Sequence, residues 1–216
     1  MFTHVTLMKL LLVGATGLVG SHVLQLALAD ARIHQVIALT RRSLVQHPKL
    51  QAQLVDFDQL DADASWWQAD AVICALGTTM KNAGSRAAFR HVDYDYPMSV
   101  ARLAKAHGTP VYVLNSAMGA SVTSSLFYHR VKGELERDLK EIGFASLTAV
   151  RPGLIGGKRA VVRPGEHIAS LVLSVLAPVL PARWRINPAH KIAQALLEAT
   201  IAGKAGMHVI DSQTLV

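Results

Sequence analysis

Apolar residues fall into short, nearly unbroken runs that alternate with longer stretches of helical spacing. Leu7 to Leu12, Val36-Ile37-Ala38-Leu39, Ala71 to Leu76, Pro110 to Leu114 and Ser146 to Val150 are such runs. They are short for helices and lack the polar alternation of a half-exposed strand, so they predict strands covered on both faces. Leu50 to Val55 and Met207 to Ile210 add two weaker strands, and the second run extends over Gln35 to Thr40. Between them, Leu18, Val19, Val23, Leu26 and Ala27 share one helical face. A helix is predicted over Ala83 to His107, interrupted near Tyr96-Pro97 and closed by Gly108. Further helices run from about Leu126 to Ile142, stopped by Gly143, and over Pro188 to Ala202. The weak helix around Asp63 to Gln68 carries Trp66 and Trp67, which are expected to pack against the sheet. Strand and helix alternate throughout, without a repeat, a low-complexity tract or a second composition. The expected fold is a single α/β domain over residues 1–216, a doubly wound parallel sheet with its substrate-side segment mainly in 152–205.

The turn after the first run is Val13-Gly14-Ala15-Thr16-Gly17-Leu18-Val19-Gly20. Strand, glycine turn and amphipathic helix are how a parallel sheet builds a seat for a dinucleotide's pyrophosphate. Gly14 suits the tight turn, Gly17 the close approach of phosphate to backbone N–H groups, and Gly20 the packing of helix on strand. The positive end of the helix beginning near Leu18 then faces the anion.

The end of the second strand bears on the kind of dinucleotide. It reads Thr40-Arg41-Arg42-Ser43, with no acid to bind a ribose 2′-hydroxyl and two guanidiniums suited to a 2′-phosphate. NADP(H) is therefore favoured over NAD(H); the plain alternative is that both arginines solvate a loop ahead of Pro48. Asp56, leaving the third strand, is a candidate partner for the adenine amino group or, alternatively, a cap. Leu76-Gly77-Thr78 leaves the fourth strand toward the expected ligand crevice.

With 51% hydrophobic residues the chain can bury a large core, which argues against disorder. Its 22 Lys+Arg against 15 Asp+Glu are scattered, so the +7 charge does not form a nucleic-acid-binding tail. Cys74, the single cysteine, sits in an apolar strand and reads as a buried structural thiol in a reducing compartment. The N-terminal apolar stretch contains Lys9 and runs straight into the glycine turn, so a cytoplasmic rather than an exported protein is expected. Ile168 to Leu180 is too short to span a membrane and reads as a buried or subunit-contact helix, compatible with a homodimer.

Ser116 follows the fifth strand, and Tyr128 and Lys132 stand one helical turn apart on the next helix. An ammonium beside a phenol favours the phenolate and would bring its pKa down from about 10 toward neutrality. The Ser116 hydroxyl would hold a substrate oxygen against the phenol, with hydride exchanged at a nicotinamide.

Together, Gly14-x-x-Gly17-x-x-Gly20, Ser116 and Tyr128-x-x-x-Lys132 resemble the short-chain dehydrogenase/reductase superfamily in its extended or atypical forms. Cys74-Ala-Leu-Gly-Thr-Thr79, Phe89-Arg-His-Val-Asp-Tyr-Asp-Tyr96, Tyr128-His-Arg-Val-Lys-Gly-Glu134 and Arg151-Pro-Gly153 further resemble its Tat-interacting-protein-like branch. The resemblance implies a Rossmann fold and NADP(H) held by the glycine turn with Arg41 and Arg42. It also implies catalytic roles for Ser116, Tyr128 and Lys132, the lysine touching cofactor as well, and a place for Arg151 and Pro152 near the nicotinamide. The Asn-Asn-Ala-Gly element usual after the fourth strand is replaced by Leu76-Gly77-Thr78-Thr79, and the asparagine often found on the following helix is not placed by this sequence. The expected activity is hydride transfer to or from a small carbonyl or alcohol. A cofactor-binding regulator is the alternative, and a nucleotide-sugar epimerase is disfavoured by the short segment after Arg151. The loops 77–84, 117–125 and 154–166 are expected to wall the pocket, with Lys158, Arg159 and Arg163 available to an anionic substrate.

Overall fold

Leu10 and Leu12 point to one face of the first strand, Leu11 and Val13 to the other, and all four are fully buried. That explains the unbroken apolar runs: both faces of the sheet are covered, so neither set of alternate positions needs polar residues. The computed structural model describes residues 7–156 and 186–216. The strands are β1 (Met8–Val13), β2 (Ile33–Thr40), β3 (Leu50–Leu54), β4 (Ala71–Cys74), β5 (Val111–Asn115) and β6 (Ser146–Arg151). A short parallel pair follows, β7 (Ile155–Gly156) with β8 (Asn187–Pro188), and then β9 (Gly206–Asp211). The main sheet has seven strands in the order β3-β2-β1-β4-β5-β6-β9, and all its pairings are parallel. The order reverses between β1 and β4, which opens a crevice at their carboxyl ends.

Helices α1 (Leu18–Ala29) and α6 (Ala189–Ala202) cover one face, with Val23, Ala27, Ile192 and Leu196 meeting Leu10, Val36 and Ile73. On the other face lie α4 (Tyr96–Ala106), α5 (Phe127–Ile142) and the 3₁₀ turn Ser65–Trp67. Trp67 is fully buried there and donates its indole N–H to the Asp61 carbonyl at 2.7 Å, so both tryptophans belong to the packing as expected. The helix predicted over Ala83 to His107 comprises α2 (Met80–Ala83), α3 (Arg86–Arg90), a π-helical turn at His91–Asp95, and α4; the π turn is the interruption expected near Tyr96-Pro97, and a further break falls at left-handed Gly84. In the π turn the Tyr96 N–H reaches back five residues to the His91 carbonyl. The wider turn lies just before Pro97, which has no N–H to give to the ladder. The apolar stretch Ile168 to Leu180, together with Lys158, Arg159 and Arg163, lies outside the described residues.

Candidate active site

The glycine turn joins β1 to α1 at the reversal point. Gly14 has φ +91°, and a Cβ there would come within 2.6 Å of the Ala75 carbonyl group. A Cβ on Gly20 would lie 2.0 Å from the Gly14 oxygen, so α1 is pressed against the turn more closely than any side chain allows. At Gly17, the N-cap of α1, a Cβ would meet only the Gly14 oxygen, at 3.3 Å. No side chain caps α1, and its first turn holds no acid. The opening amides therefore face a glycine-lined cradle with positive potential, which fits an anionic diphosphate.

Arg41 and Arg42 follow β2 and are exposed. The Thr40 hydroxyl accepts from the Arg42 N–H at 3.1 Å and donates to the Arg42 carbonyl at 2.9 Å, which fixes the backbone there. Among the described residues neither guanidinium forms an ion pair. Asp56 is exposed, and its carboxylate accepts from the Asp58 N–H at 3.0 Å, so it caps its own turn in this structure.

Ser116, Tyr128 and Lys132 all stand at the carboxyl edge of the sheet, where Lys132 acts electrostatically on Tyr128 and Ser116 is tied to Glu136 on the same helix. Ser116 is buried beyond β5, and its N–H binds the Val150 carbonyl at 2.7 Å. Lys132 is buried on α5, while Tyr128, one turn earlier, is 37% exposed. The Tyr128 ring rests on Phe89 and His129, with centroids 5.7 and 5.5 Å away. Loop 117–125 lies directly on α5, because a Cβ at Gly133 would be 2.3 Å from the Ser121 backbone.

Two acids enter the site unannounced by the sequence reading. Asp93, in the π turn, is 1% exposed; its carboxylate lies 2.8 Å from the Lys132 ammonium and accepts from the Thr78 N–H at 2.7 Å. Glu136 is buried one turn beyond Lys132 and takes the hydrogen bond of the Ser116 hydroxyl. The Arg151 guanidinium binds the same carboxylate, its Nε 3.0 and 3.2 Å from the two oxygens. Both acids were legible in principle. Phe89, Asp93 and Pro97 share a helical spacing whose other members are buried, and Tyr128, Lys132 and Glu136 continue at steps of four. A carboxylate on an apolar face must be paired.

These contacts change three expectations. The Lys132 charge does not act on the phenol alone, because Asp93 opposes it. Burial pushes Tyr128 above its ordinary range, Lys132 pulls it down and Asp93 pushes it up again, leaving the phenol raised and not lowered. Burial works against the Lys132 ammonium, but Asp93 outweighs it and the amine stays above its usual value. Ser116 gives its hydroxyl hydrogen to Glu136 and not to the cleft, since a buried carboxylate draws in the nearest donors. Arg151 is held by that same acid. Cys74 is buried as expected, and burial raises its thiol. Among the described residues no cluster of acids, histidines or cysteines is suited to a metal ion. No helix there is long and apolar enough to cross a membrane.

A doubly wound sheet with a glycine cradle at its reversal point defines a dinucleotide-binding protein. Residues 14–163 match the NAD(P)H-binding family, and the chain belongs to it, within the atypical branch of the short-chain dehydrogenase/reductase oxidoreductases. It is 35% identical over 178 residues to "Protein fmp52, mitochondrial" of Emericella nidulans, covering 78% of this chain and 76% of that one. It is 31% identical over 211 residues to "Protein HTATIP2" of Rattus norvegicus, covering 95% and 86%. Among solved structures, MoeE5 in complex with UDP-glucose and NAD superposes with a TM-score of 0.73 at 17% identity, covering 93% of this chain and 74% of that one. A short chain dehydrogenase family protein from Francisella tularensis superposes with a TM-score of 0.63 at 13% identity, covering 96% and 98%. These two share the fold. The expected cytoplasmic location is corrected by the relatives: the proteins from Emericella nidulans, Aspergillus fumigatus and Candida albicans are named as mitochondrial.

Proposed function

We propose that the protein is an NADP(H)-dependent oxidoreductase that interconverts a small carbonyl compound and its alcohol. The observation that supports this reading is the placement of Ser116, Tyr128 and buried Lys132 at the same carboxyl edge of the sheet as the glycine cradle. Gly14, Thr16, Gly17, Leu18, Val19 and Gly20 would hold the diphosphate, and Arg41 with Arg42 the 2′-phosphate. Leu76, Gly77 and Thr78, Lys132, and Arg151 with Pro152 would flank the nicotinamide half, and Asp56 the adenine.

The bound dinucleotide supplies or takes up the hydride at its nicotinamide ring. Tyr128 Oη exchanges the proton at the substrate oxygen, the residue being partly exposed so that substrate can reach it. Ser116 Oγ, its hydrogen held by Glu136, presents lone pairs and accepts a hydrogen bond from the phenol or from a substrate hydroxyl. Lys132 keeps a positive charge next to Tyr128 even though it is buried, because Asp93 stays paired with it. The mitochondrial names of relatives support a mitochondrial location, which subcellular fractionation would test.

The deciding experiment is NADPH oxidation by purified protein across a panel of aldehydes and ketones. Turnover is expected with at least one member, and Tyr128→Phe is expected to abolish it while cofactor still binds. Tight cofactor binding with no turnover across the panel would refute the enzymatic reading in favour of a cofactor-dependent regulator.

A further inference from the structure

A buried lysine one helical turn from a tyrosine ordinarily makes the phenol a stronger acid. Here the lysine is occupied. Asp93 reaches it from the π turn at 2.8 Å, with both side chains withdrawn from solvent. The Asp93 carboxylate cannot swing away, because its second oxygen is held by the Thr78 N–H at 2.7 Å. The turn that carries it is anchored by Phe89, fully buried against the Tyr128 and Phe127 rings.

Among the described residues, the ionisable groups around the phenol are few. From its own helix come Lys132 and His129, whose ring packs on it; from the π turn comes Asp93. Cys74, at the end of β4, faces Lys132 in turn and is a buried thiol. A cation and an anion in contact act on a third group largely as a dipole, so Asp93 offsets part of the cation's pull on the phenol, and burial of the ring opposes the phenolate further.

We propose that Asp93 is a positioning residue that neutralises Lys132 and keeps Tyr128 a protonated phenol at neutral pH, so that the resting site is loaded for carbonyl reduction rather than alcohol oxidation. This rests on the reading of Tyr128 as the proton-exchanging group. In the forward step the carbonyl carbon receives the hydride of the reduced nicotinamide. The carbonyl oxygen takes the proton from Tyr128 Oη, giving the alcohol and the oxidised cofactor. The phenolate left behind regains a proton from water, to which Tyr128 is partly exposed. Alcohol oxidation instead needs the phenolate at the outset, so its rate is expected to rise about tenfold per pH unit until the phenol titrates.

The test is a spectrophotometric tyrosinate titration, which needs neither substrate nor turnover. The chain has four tyrosines, so the curve of the intact protein minus that of Tyr128→Phe isolates this phenol. Tyr128 is expected to titrate at or above about pH 10. A midpoint below that would overturn the proposal without any variant at position 93. Asp93→Asn retains an oxygen for the Thr78 N–H but removes the charge, and should move the midpoint down by about one pH unit or more. Asp93→Glu, which keeps the charge, should titrate like the unaltered protein. An Asp93→Asn midpoint equal to that of the unaltered protein would also overturn the assignment. A carbonyl panel without turnover would defeat the enzymatic reading while leaving this titration readable, so the two failures are distinct.

Discussion

Ser116 and Glu136 stand 20 residues apart, and the serine's only hydroxyl hydrogen is committed to the glutamate's carboxylate. That acid is also the counter-ion of Arg151, so β5, α5 and β6 are joined at the floor of the site through one buried side chain. Its loss would leave a guanidinium only about a quarter exposed without its carboxylate. Glu136→Ala is expected to destabilise the fold by about 2–3 kcal/mol, below the range for fully buried pairs because Arg151 reaches some water. Glu136→Ala combined with Arg151→Met should recover part of that loss. Urea denaturation of the two variants would show it, and equal stability of the single variant and the unaltered protein would count against the buried pair.

Arg41 and Arg42 have no acidic partner among the described residues, so their charge is available to a ligand. Arg41→Asp/Arg42→Asp should weaken NADPH by roughly 10–100-fold, the scale of one or two lost charge-assisted hydrogen bonds, and NADH far less. Fluorescence titration with both cofactors measures the contrast. Equal losses would remove the 2′-phosphate assignment.

Gly20 packs too closely on the Gly14 oxygen to admit a methyl group. Gly20→Ala must displace α1 or distort the turn, at a cost of about 2–4 kcal/mol. Because the same turn forms the cradle, cofactor affinity should fall together with the melting temperature. Retained affinity in a well-folded Gly20→Ala protein would separate the cradle from cofactor binding.

His91 lies between two carboxylates, 2.6 Å from Asp58 and 3.0 Å from Asp95, and their hydrogen bonds raise its pKa. A histidine that is a stronger base when folded stabilises fully below its ordinary value of 6.5, and that contribution is lost as pH rises through the raised value. Asp58 has the opposite sense: its hydrogen bonds with His91 and Tyr96 hold it below 3.8, so its contribution is present above that value and lost in acid. The cluster therefore stabilises most between about pH 4 and 6.5. His91→Gln should flatten the decline of the melting temperature above pH 6.5, and identical profiles with and without His91 would contradict the assignment.

Much of this architecture can be read along the chain. The first six strands and the helices at Leu18, Leu126 and Pro188 were predicted to within one or two residues of β1 to β6, α1, α5 and α6. They were readable because each buries its apolar positions at a single period, and Gly14, Gly143 and Gly203 adopt the left-handed turn conformations that punctuate those periods. The stretch from Met80 to Ala106 is legible only in part: the interruption expected near Tyr96-Pro97 takes the form of the π turn His91–Asp95, whereas the break at left-handed Gly84 is not marked by the spacing of apolar residues.

Local order along the chain was enough to settle a parallel α/β sheet with a glycine cradle after its first strand, and to bring Ser116, Tyr128 and Lys132 to one edge. Folding alone settled their electrical state. Asp93 and Glu136 are remote in sequence from the groups they hold, separated from Lys132 and Ser116 by long intervals of chain. Whether a lysine acts on a phenol or is cancelled by an acid depends on distances of a few ångströms between helices, a scale on which the order of residues is silent.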